Sequence, residues 1–340
     1  MKTLRLLIYL LLFLILSACS QNPFENKQIS FYHWKTFPDD KLQLREYLDQ
    51  GPTDKLYYRF FDLKTEGQRI VPVAQAQIDT GLINNKSVAA CIFISNDCFY
   101  NTYREEIKGL AERCLQKINF MLQEKNLTKQ WDELQIDCDW TQSTKENYFK
   151  FLSHLKELLP EEITLSATIR LHQVKYPDKT GVPPVDKGSL MCYNMDDIAD
   201  LESPNSIYNT SILKTYIDSK SSYPLSLDIA LPLFEWHLLF RDGSLQKIIN
   251  QEIGNLNELK YLGENRYQLE QDQYLAGHYV YKGDLLKKEG INTDDLRSAL
   301  RILKDSRLQI ADNIVFYHLN EKLTTSFPYD TLQQLVLDSH

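Results

Sequence analysis

The stretch Leu134-Gln135-Ile136-Asp137-Cys138-Asp139-Trp140-Thr141 reads as a strand that begins apolar and ends in two carboxylates. Residues two apart on a strand point to the same face, so Asp137 and Asp139 are expected on one side of it. A helix pattern follows at once, opened by the capping-box pair Ser143 and Glu146. The carboxylates therefore lie at the C-terminal end of a strand, before a βα loop, which is where α/β barrels carry their chemistry.

The N-terminus has the pattern of an export signal. Lys2 and Arg5 precede an apolar run that is too short for a comfortable membrane span, and small residues follow it. The ending Leu16-Ser17-Ala18-Cys19 resembles a bacterial lipobox. We therefore expect residues 1–18 to be a signal peptide and Cys19 to be acylated, which anchors the protein to a membrane. The alternative is an ordinary cleaved signal with an incidental cysteine.

The mature chain is expected to have a short tether, residues 19–27, and one domain, residues 28–340. An aspartate directly after the acylated cysteine would favour the inner membrane. Ser20 stands at that position, which indicates the outer membrane if the host is Gram-negative. The 38 basic and 46 acidic side chains give a formal charge of −8, and loss of the two basic residues of the signal makes it −10. This acidic balance argues against a nucleic-acid partner. We expect a monomer anchored to the cell envelope.

Strand patterns alternate with helix patterns about eight times. The strands are predicted at residues 29–34, 56–63, 88–94, 134–141, 163–169, 188–195, 225–232 and 314–318. A polar segment from about Gly243 to Gly290 is longer than one helix requires and is interpreted as an insertion over the barrel mouth. The fold class is therefore α/β, a (β/α)8 TIM barrel with an insertion before the eighth strand.

The cysteines predict no metal site and no cofactor. Five remain besides Cys19, and none forms a CxxC motif or a cluster with histidines. Cys138 and two others fall in apolar strands, where a cysteine is a small buried hydrophobe. A disulfide from Cys98 to Cys91 or to Cys114 is left open by the sequence.

Three segments together resemble the family 18 glycoside hydrolases, which are chitinase-like (β/α)8 barrels. Asp137 and Asp139 match the two inner aspartates of that family's fourth strand. Met191-Cys192-Tyr193-Asn194 matches the Met-x-Tyr-Asp/Asn pattern of the sixth strand, and Ala230-Leu231-Pro232-Leu233-Phe234 is similar to the Gly-x-Pro-x-Tyr/Phe pattern of the seventh. The order and spacing agree over most of residues 28–325. The chain resembles still more closely a set of bacterial lipoproteins with an Asp-x-Asp fourth strand.

The sequence also departs from that family. Members of the family that this chain resembles protonate the leaving oxygen with a glutamate two residues after the second aspartate. The acetamido group of the substrate is their nucleophile. Thr141 occupies that position, and a threonine is no general acid near neutral pH. The eighth strand offers Phe316, Tyr317 and His318 in place of the family's tryptophan. The resemblance thus implies the fold and a sugar-sized cleft, and the departures count against a standard chitinase.

Three carboxylates are candidate catalytic residues. Asp137 and Asp139 are close enough that one pKa should be raised, and Asp139 is the first candidate for an acid or for a group that orients the substrate. The alternative is a structural role, with one aspartate bonded to the backbone or to Arg170. Glu235 lies between Phe234 and Trp236, and desolvation by aromatic rings would raise its pKa and make it a second acid. A solvated loop residue is the alternative for Glu235.

Several side chains at predicted strand ends are candidates for substrate binding. Tyr193 and Asn194 would hydrogen-bond a sugar ring or an acetamido group, or the tyrosine fills the upper layer of the barrel. Trp34, Trp140 and Trp236 would stack on sugar faces, or pack under loops. The two arginines at strand ends, Arg59 and Arg170, would hold an anionic substrate or neutralise the aspartates, and the second role is favoured.

Three functions are compatible with these residues. The leading hypothesis is a lipid-anchored envelope protein that hydrolyses a glycan, with Asp139 as its first catalytic candidate. The second is a catalytically inactive barrel that binds a glycan or serves as an envelope scaffold, which Thr141 favours. The third, a metal-dependent hydrolase, would need His33, His172 and His318 to gather with Asp139 at the mouth.

Overall fold

A computed structural model describes residues 23–24, 26–37, 41–100, 104–251, 253–254 and 256–338 of the chain. The predicted signal peptide and Cys19 lie outside these residues, so cleavage and acylation stay predictions. Thr102 and Glu105 have the spacing of a capping box, which predicts that a helix starts at Thr102, but Thr102 also lies outside the described residues. Within the described part of the chain, no helix combines the length and the apolar character that a membrane span requires.

The predicted alternation of strands and helices is present as a closed parallel barrel. In chain order, the strands as far as the seventh of the barrel are β1 (Gln28–His33), β2 (Lys55–Glu66), β3 (Arg69–Val73), β4 (Ser87–Ile94), β5 (Trp131–Asp137), β6 (Thr164–Arg170), β7 (Lys187–Met191) and β8 (Leu227–Pro232). Seven short strands of the insertion follow, and β16 (Ile310–Tyr317) is the eighth barrel strand. Because β1 pairs in parallel with both β16 and β2, the sheet has no open edge in the barrel, and β3 only forms a hairpin with β2. The prediction of a (β/α)8 barrel is confirmed.

Helices connect the barrel strands on the outside. They are α1 (Lys41–Leu48), α2 (Thr80–Ile83), α3 (Arg104–Glu124), α4 (Lys145–Leu158), α5 (Leu171–Lys175), α6 (Pro177–Thr180), α7 (Thr210–Tyr216), α8 (Thr293–Lys304), α9 (Glu321–Ser326) and α10 (Tyr329–Leu337). The capping box predicted at Ser143 is wrong, because α4 has Thr144 as its N-cap, without a side-chain cap bond.

Two barrel strands end earlier than the sequence predicts. β5 pairs with β4 only as far as Phe93 opposite Asp137, so Asp139 follows the strand instead of continuing its face. β7 ends at Met191, and Asn194 has a positive φ of 53°. After β5 the chain therefore leaves the barrel wall before it reaches Asp139, the first catalytic candidate of the sequence analysis.

The insertion is a small β-structure with its own core. Its strands are β9 (Trp236–Arg241), β10 (Ser244–Ile249), β11 (Lys260–Gly263), β12 (Arg266–Gln268), β13 (Gln273–Leu275), β14 (His278–Val280) and β15 (Leu285–Glu289). Five of them form an antiparallel sheet in the order β10-β9-β15-β12-β11, and β13 and β14 form a hairpin. The insertion lies before the eighth barrel strand, as predicted, but it begins at Trp236 instead of Gly243.

The N-terminal end of the barrel interior is filled by ion pairs. Glu133 is fully buried, and its Oε2 lies 2.6 Å from Lys55 Nζ and 2.9 Å from Lys187 Nζ. Lys187 Nζ also lies 2.7 Å from Asp228 Oδ2, and the hydroxyl of Tyr57 donates to the same oxygen at 2.7 Å. This polar layer closes the lower end of the barrel and leaves the C-terminal end for a site.

The cysteines are part of the core. Cys91, Cys98, Cys114, Cys138 and Cys192 are all buried thiols, so neither disulfide that the sequence left open is formed. Burial raises the pKa of the Cys98 thiol to about 11, which keeps it in its protonated, unreactive form at neutral pH.

Candidate active site

A cleft of about 1340 Å³ opens at the C-terminal end of the barrel. The ends of barrel strands, the loops after them, the insertion and α9 all contribute to its lining. The charged side chains along it are three basic and three acidic groups, namely Lys35, Arg170, Lys322, Asp137, Glu235 and Glu321. Because these charges differ by at most one, whether Asp137 is ionised or protonated, the cleft suits a neutral ligand better than a strongly charged one.

Asp137, the last residue of β5, lines the floor of this cleft. Its Oδ1 accepts a hydrogen bond of 2.7 Å from Thr168 Oγ1 on the neighbouring strand β6. Burial raises the pKa of the Asp137 carboxyl, and the charges of Asp139 and Asp62 add to this rise. Arg170 and the Thr168 hydroxyl oppose the rise without cancelling it. Asp137 is therefore a partly desolvated carboxyl group that faces the space where a ligand would lie.

Asp139 has a different environment. Its side chain is 57% exposed and forms a two-point ion pair with Arg170, with Nε to Oδ1 at 2.6 Å and Nη2 to Oδ2 at 3.1 Å. Asp139 is not among the residues that line the cleft, whereas Arg170 is. The geometry thus separates the two aspartates and favours Asp137 over Asp139 for contact with a ligand.

Glu235 lies in the cleft lining, but its pKa shifts against the sequence-based expectation. Burial raises the pKa of this carboxyl, yet a hydrogen bond from Lys322 and the charge of Lys288 outweigh burial, so the pKa is lowered overall. Lys288 Nζ lies 3.2 Å from Glu235 Oε2, and Lys322 bonds to Oε1. The expected rise in the Glu235 pKa is wrong for a physical reason: two lysines from distant segments favour the ionised form of this carboxyl.

Aromatic rings form the walls beside Asp137. Tyr193 and Tyr317 both line the cleft and stack with centroids 5.3 Å apart at an interplanar angle of 27°. Phe234 meets Tyr193 edge-on at 6.1 Å and Tyr317 edge-on at 5.7 Å. Asn194 is also in the lining, in the turn after β7. The sequence therefore placed Tyr193 and Asn194 correctly at the mouth, and the structure adds Tyr317 to them.

Trp34 lines the cleft on the side of β1. The Arg59 guanidinium lies 5.7 Å from its ring centroid, and Arg59 Nη1 donates to the carbonyl oxygen of Trp34 at 3.1 Å. Arg59 is itself paired with the buried Asp62, Nε to Oδ1 at 2.8 Å, and is not in the lining. Arg59 thus supports the tryptophan and neutralises an aspartate instead of facing a ligand.

The other two candidate tryptophans differ from each other. Trp236 lines the cleft, and its indole Nε1 donates to Glu289 Oε2 at 2.9 Å. Trp140 is buried outside the cleft, where its Nε1 donates to the Thr180 carbonyl at 3.0 Å and its ring packs on Tyr148. Packing under the α4 and α6 segment explains Trp140, so the structure gives it no open face for a sugar.

Thr141, which the sequence offers where the resemblance implies an acid, lies in an exposed turn. Thr141 Oγ1 lies 2.9 Å from Ser143 Oγ, and Thr141 is not in the cleft lining. The described residues also contain no group of three or more histidine, cysteine, aspartate or glutamate side chains that could hold a metal ion. The structure therefore offers no assembly of His33, His172 and His318 with Asp139.

Sequence reasoning missed Thr168 and Asp62, which add to the effects of burial and Arg170 on the Asp137 pKa, and Glu289, which contacts Trp236. Thr168 and Asp62 were hidden inside apolar strand patterns, and Glu289 lay in the polar insertion. The only sequence feature that could have indicated these residues is their position near strand ends. Many other residues share that position, so it does not single them out.

The closed barrel, its insertion and the cleft at its C-terminal end define the class of fold, a (β/α)8 barrel. The chain is similar over 92% of its length to a chitinase from Chromobacterium violaceum, with a TM-score of 0.55 and 10% identity over 100% of that chain. It is also similar to the spore cortex-lytic enzymes SleL of Bacillus cereus and Bacillus megaterium, with TM-scores of 0.53 and 0.52. Both are 13% identical to this chain, which covers 74% of each. No protein-family model matches the sequence, and no curated protein is significantly similar to it.

Proposed function

We propose that this chain is a lipid-anchored envelope protein that binds a glycan in the cleft and hydrolyses it, with Asp137 as the proton donor. The observation that carries the proposal is the carboxyl group of Asp137, which faces the cleft among aromatic walls and has a raised pKa. A raised pKa keeps more of a carboxyl protonated near neutral pH, as a general acid requires. Asp137 thus replaces Asp139 as the first catalytic candidate.

The proposed reaction needs one proton donor and water. Asp137 gives its proton to the glycosidic oxygen as the bond to the sugar carbon breaks, and water attacks that carbon. The Asp137 carboxylate then accepts a proton from the attacking water, which restores the acid form. Proton transfer by a positioned group of this kind contributes about 10²- to 10⁴-fold in rate.

The lining supports a neutral glycan as the ligand. Aromatic rings offer flat apolar faces to sugar rings, and the Asn194 amide offers hydrogen bonds. Chitin oligosaccharides and peptidoglycan fragments belong in a first panel, because a chitinase and two spore cortex-lytic enzymes share the fold.

The second candidate is a barrel that binds a glycan or serves as an envelope scaffold without catalysis. Two observations favour it: Thr141, at the position where the sequence resemblance implies an acid, stands outside the cleft, and two lysines favour the ionised form of Glu235. Binding without turnover would decide for this candidate.

Binding and turnover are tested together on the soluble form that starts near Ser20. The wild type is expected to bind at least one glycan of the panel and to release reducing sugar from it. Trp34→Ala should weaken binding about tenfold, or about 1.4 kcal/mol, since it removes one face of the cleft. Tyr274→Ala is the matched control, because Tyr274 is an exposed ring on the insertion outside the cleft lining. Equal binding by wild type and Trp34→Ala would contradict a ligand in this cleft.

The lipid anchor is tested in the bacterial host. The full-length chain should incorporate labelled palmitate and sediment with membranes, in the outer-membrane fraction if the host is Gram-negative. Cys19→Ala should lose the label and be released from the membrane. Labelling that survives in Cys19→Ala would overturn acylation at this position. Gel filtration of the soluble form tests the expected monomer.

A further inference from the structure

A buried carboxylate in the insertion joins three segments of the chain. Glu289, at the end of β15, is 2% exposed. Its Oε2 accepts the indole N–H of Trp236 at 2.9 Å and the hydroxyl of Ser206, and its Oε1 lies 2.8 Å from Lys287 Nζ. The groups around this carboxylate thus come from β9, from the loop after β7 and from β15 itself, and the hydrogen bonds from Trp236 and Ser206 both fall on Oε2.

The packing of the insertion gives no reason for this charge. A buried ion pair costs desolvation that its attraction often fails to offset, so apolar side chains of similar volume would serve stability as well or better. Glu289 and Lys287 are both 2% exposed or less. A role beyond stability is therefore the better explanation for a carboxylate at this place.

What Glu289 holds lies at the cleft. The Trp236 ring lies 5.2 Å from the Phe234 ring, which in turn contacts Tyr193 and Tyr317. The backbone of Ser206 accepts the N–H of Met195 at 2.9 Å, next to Asn194 in the same loop. The Glu289 carboxylate thus holds both Trp236, which is part of an aromatic wall of the cleft, and the loop that carries the Asn194 side chain.

We infer that Glu289 is a positioning residue for the glycan site, because it orients the Trp236 indole and holds the loop of Asn194 against the insertion. This inference rests on the proposed glycan binding at the cleft. Glu289 itself does not touch the ligand and acts through Trp236 and Ser206.

The test compares two double variants that both lack the buried charges. Lys287→Met with Glu289→Gln keeps an amide oxygen that can accept the Trp236 and Ser206 hydrogen bonds. Lys287→Met with Glu289→Leu has nearly the same volume without that acceptor. Both should fold, because charge is removed from both partners together. The leucine variant is expected to bind the glycan about tenfold more weakly than the glutamine variant.

A second readout needs no ligand. The fluorescence of Trp236 is obtained as the difference between each protein and its Trp236→Phe counterpart. We expect acrylamide to quench this difference signal more in the leucine variant than in the glutamine variant, whose signal should match the wild type. A merely structural role of Glu289 would alter stability without separating the two variants in quenching.

The control is an exposed contact between the loop after β7 and another strand of the insertion. Glu202, in the loop after β7, forms an ion pair with Arg266 of β12, with Oε1 to Nη1 at 3.1 Å. Glu202→Gln should leave both affinity and quenching unchanged. Equal quenching of the two double variants would overturn the positioning role. Wild-type protein that binds no glycan would overturn the proposed function alone, since quenching still decides the role of Glu289.

Discussion

At the scale of the residue, the two aspartates of the fourth barrel strand show how contacts separate similar side chains. Asp137 ends the strand, faces the cleft and accepts one bond from Thr168. Asp139, two positions on, is exposed and paired with Arg170. Burial at the floor of the cleft raises the pKa of the Asp137 carboxyl, as an acid requires.

The hydrogen bond from Thr168 lowers the pKa of Asp137, because it stabilises the charged form. Thr168→Val removes this bond with little change in volume and should raise the Asp137 pKa further. The acid form then persists to higher pH, so the alkaline limb of the pH profile of kcat should move to higher pH. Hydrolysis rates measured across the pH range test this shift.

Asp139→Asn provides the opposite change. It removes a negative charge that raises the Asp137 pKa and frees Arg170, whose charge lowers it. The alkaline limb should therefore move to lower pH. Shifts of the two variants in the same direction would contradict Asp137 as the titrating acid.

Most candidate residues could be placed at the barrel mouth from sequence, but their charge states could not. Asp137, Glu235, Trp34, Trp236, Tyr193, Asn194 and Arg170 all line the cleft. The pKa of Glu235 depends on Lys322, 87 residues away, and that of Asp137 on Thr168, 31 residues away. No local pattern reports such partners, and none indicated that Trp140 would be covered by the Thr180 segment.

At the scale of the element, helix α8 shows a start that the sequence specifies. Asn292 is its N-cap, and its side-chain oxygen accepts the backbone N–H groups of Asp294 and Asp295 at 2.9 Å each. Asn292→Ala should lower the free energy of unfolding by about 1 kcal/mol, since these donors lose their acceptor. Asn292→Ser, which keeps an acceptor, should cost clearly less. Urea unfolding of the two variants measures the difference, and equal losses would contradict the cap.

The insertion shows where element prediction stops. Its strands β12, β13 and β14 have three residues each, which is too short to display an alternating pattern. Its first strand follows β8 after only three residues, so the sequence-based boundary was placed too late. The barrel strands were predictable because they are longer and mostly buried on both faces.

At the scale of the whole molecule, the ion pairs at the lower end of the barrel join strands from distant parts of the chain. Burial raises the pKa of Glu133, but Lys187 and Lys55 outweigh it, so the pKa is lowered. This contribution to stability is present above the unfolded pKa of about 4.5 and is lost as the pH falls through the lower folded value. The sequence hid this layer, since each of its charges is a single residue within a strand.

Glu133→Gln removes the buried carboxylate with which both Lys55 and Lys187 pair. We expect a loss of about 3–5 kcal/mol in the free energy of unfolding at neutral pH, and a weaker dependence of stability on pH in the acidic range. Glu157→Gln is the control, because Glu157 lies on the surface of α4 in an exposed pair with His154 and should change stability by less than about 1 kcal/mol. Denaturant titrations at several pH values test both, and similar losses would contradict the role of the buried layer.

The most direct measurement is kcat for Asp137→Asn and Asp139→Asn on the best glycan of the panel, at the pH optimum of the wild type. An amide at position 137 cannot donate the proton, so kcat should fall by about 10²- to 10⁴-fold while the glycan is still bound. Asp139→Asn should retain turnover within about tenfold, because Asp139 lies outside the cleft. Full activity in Asp137→Asn, or a larger loss in Asp139→Asn, would contradict Asp137 as the acid.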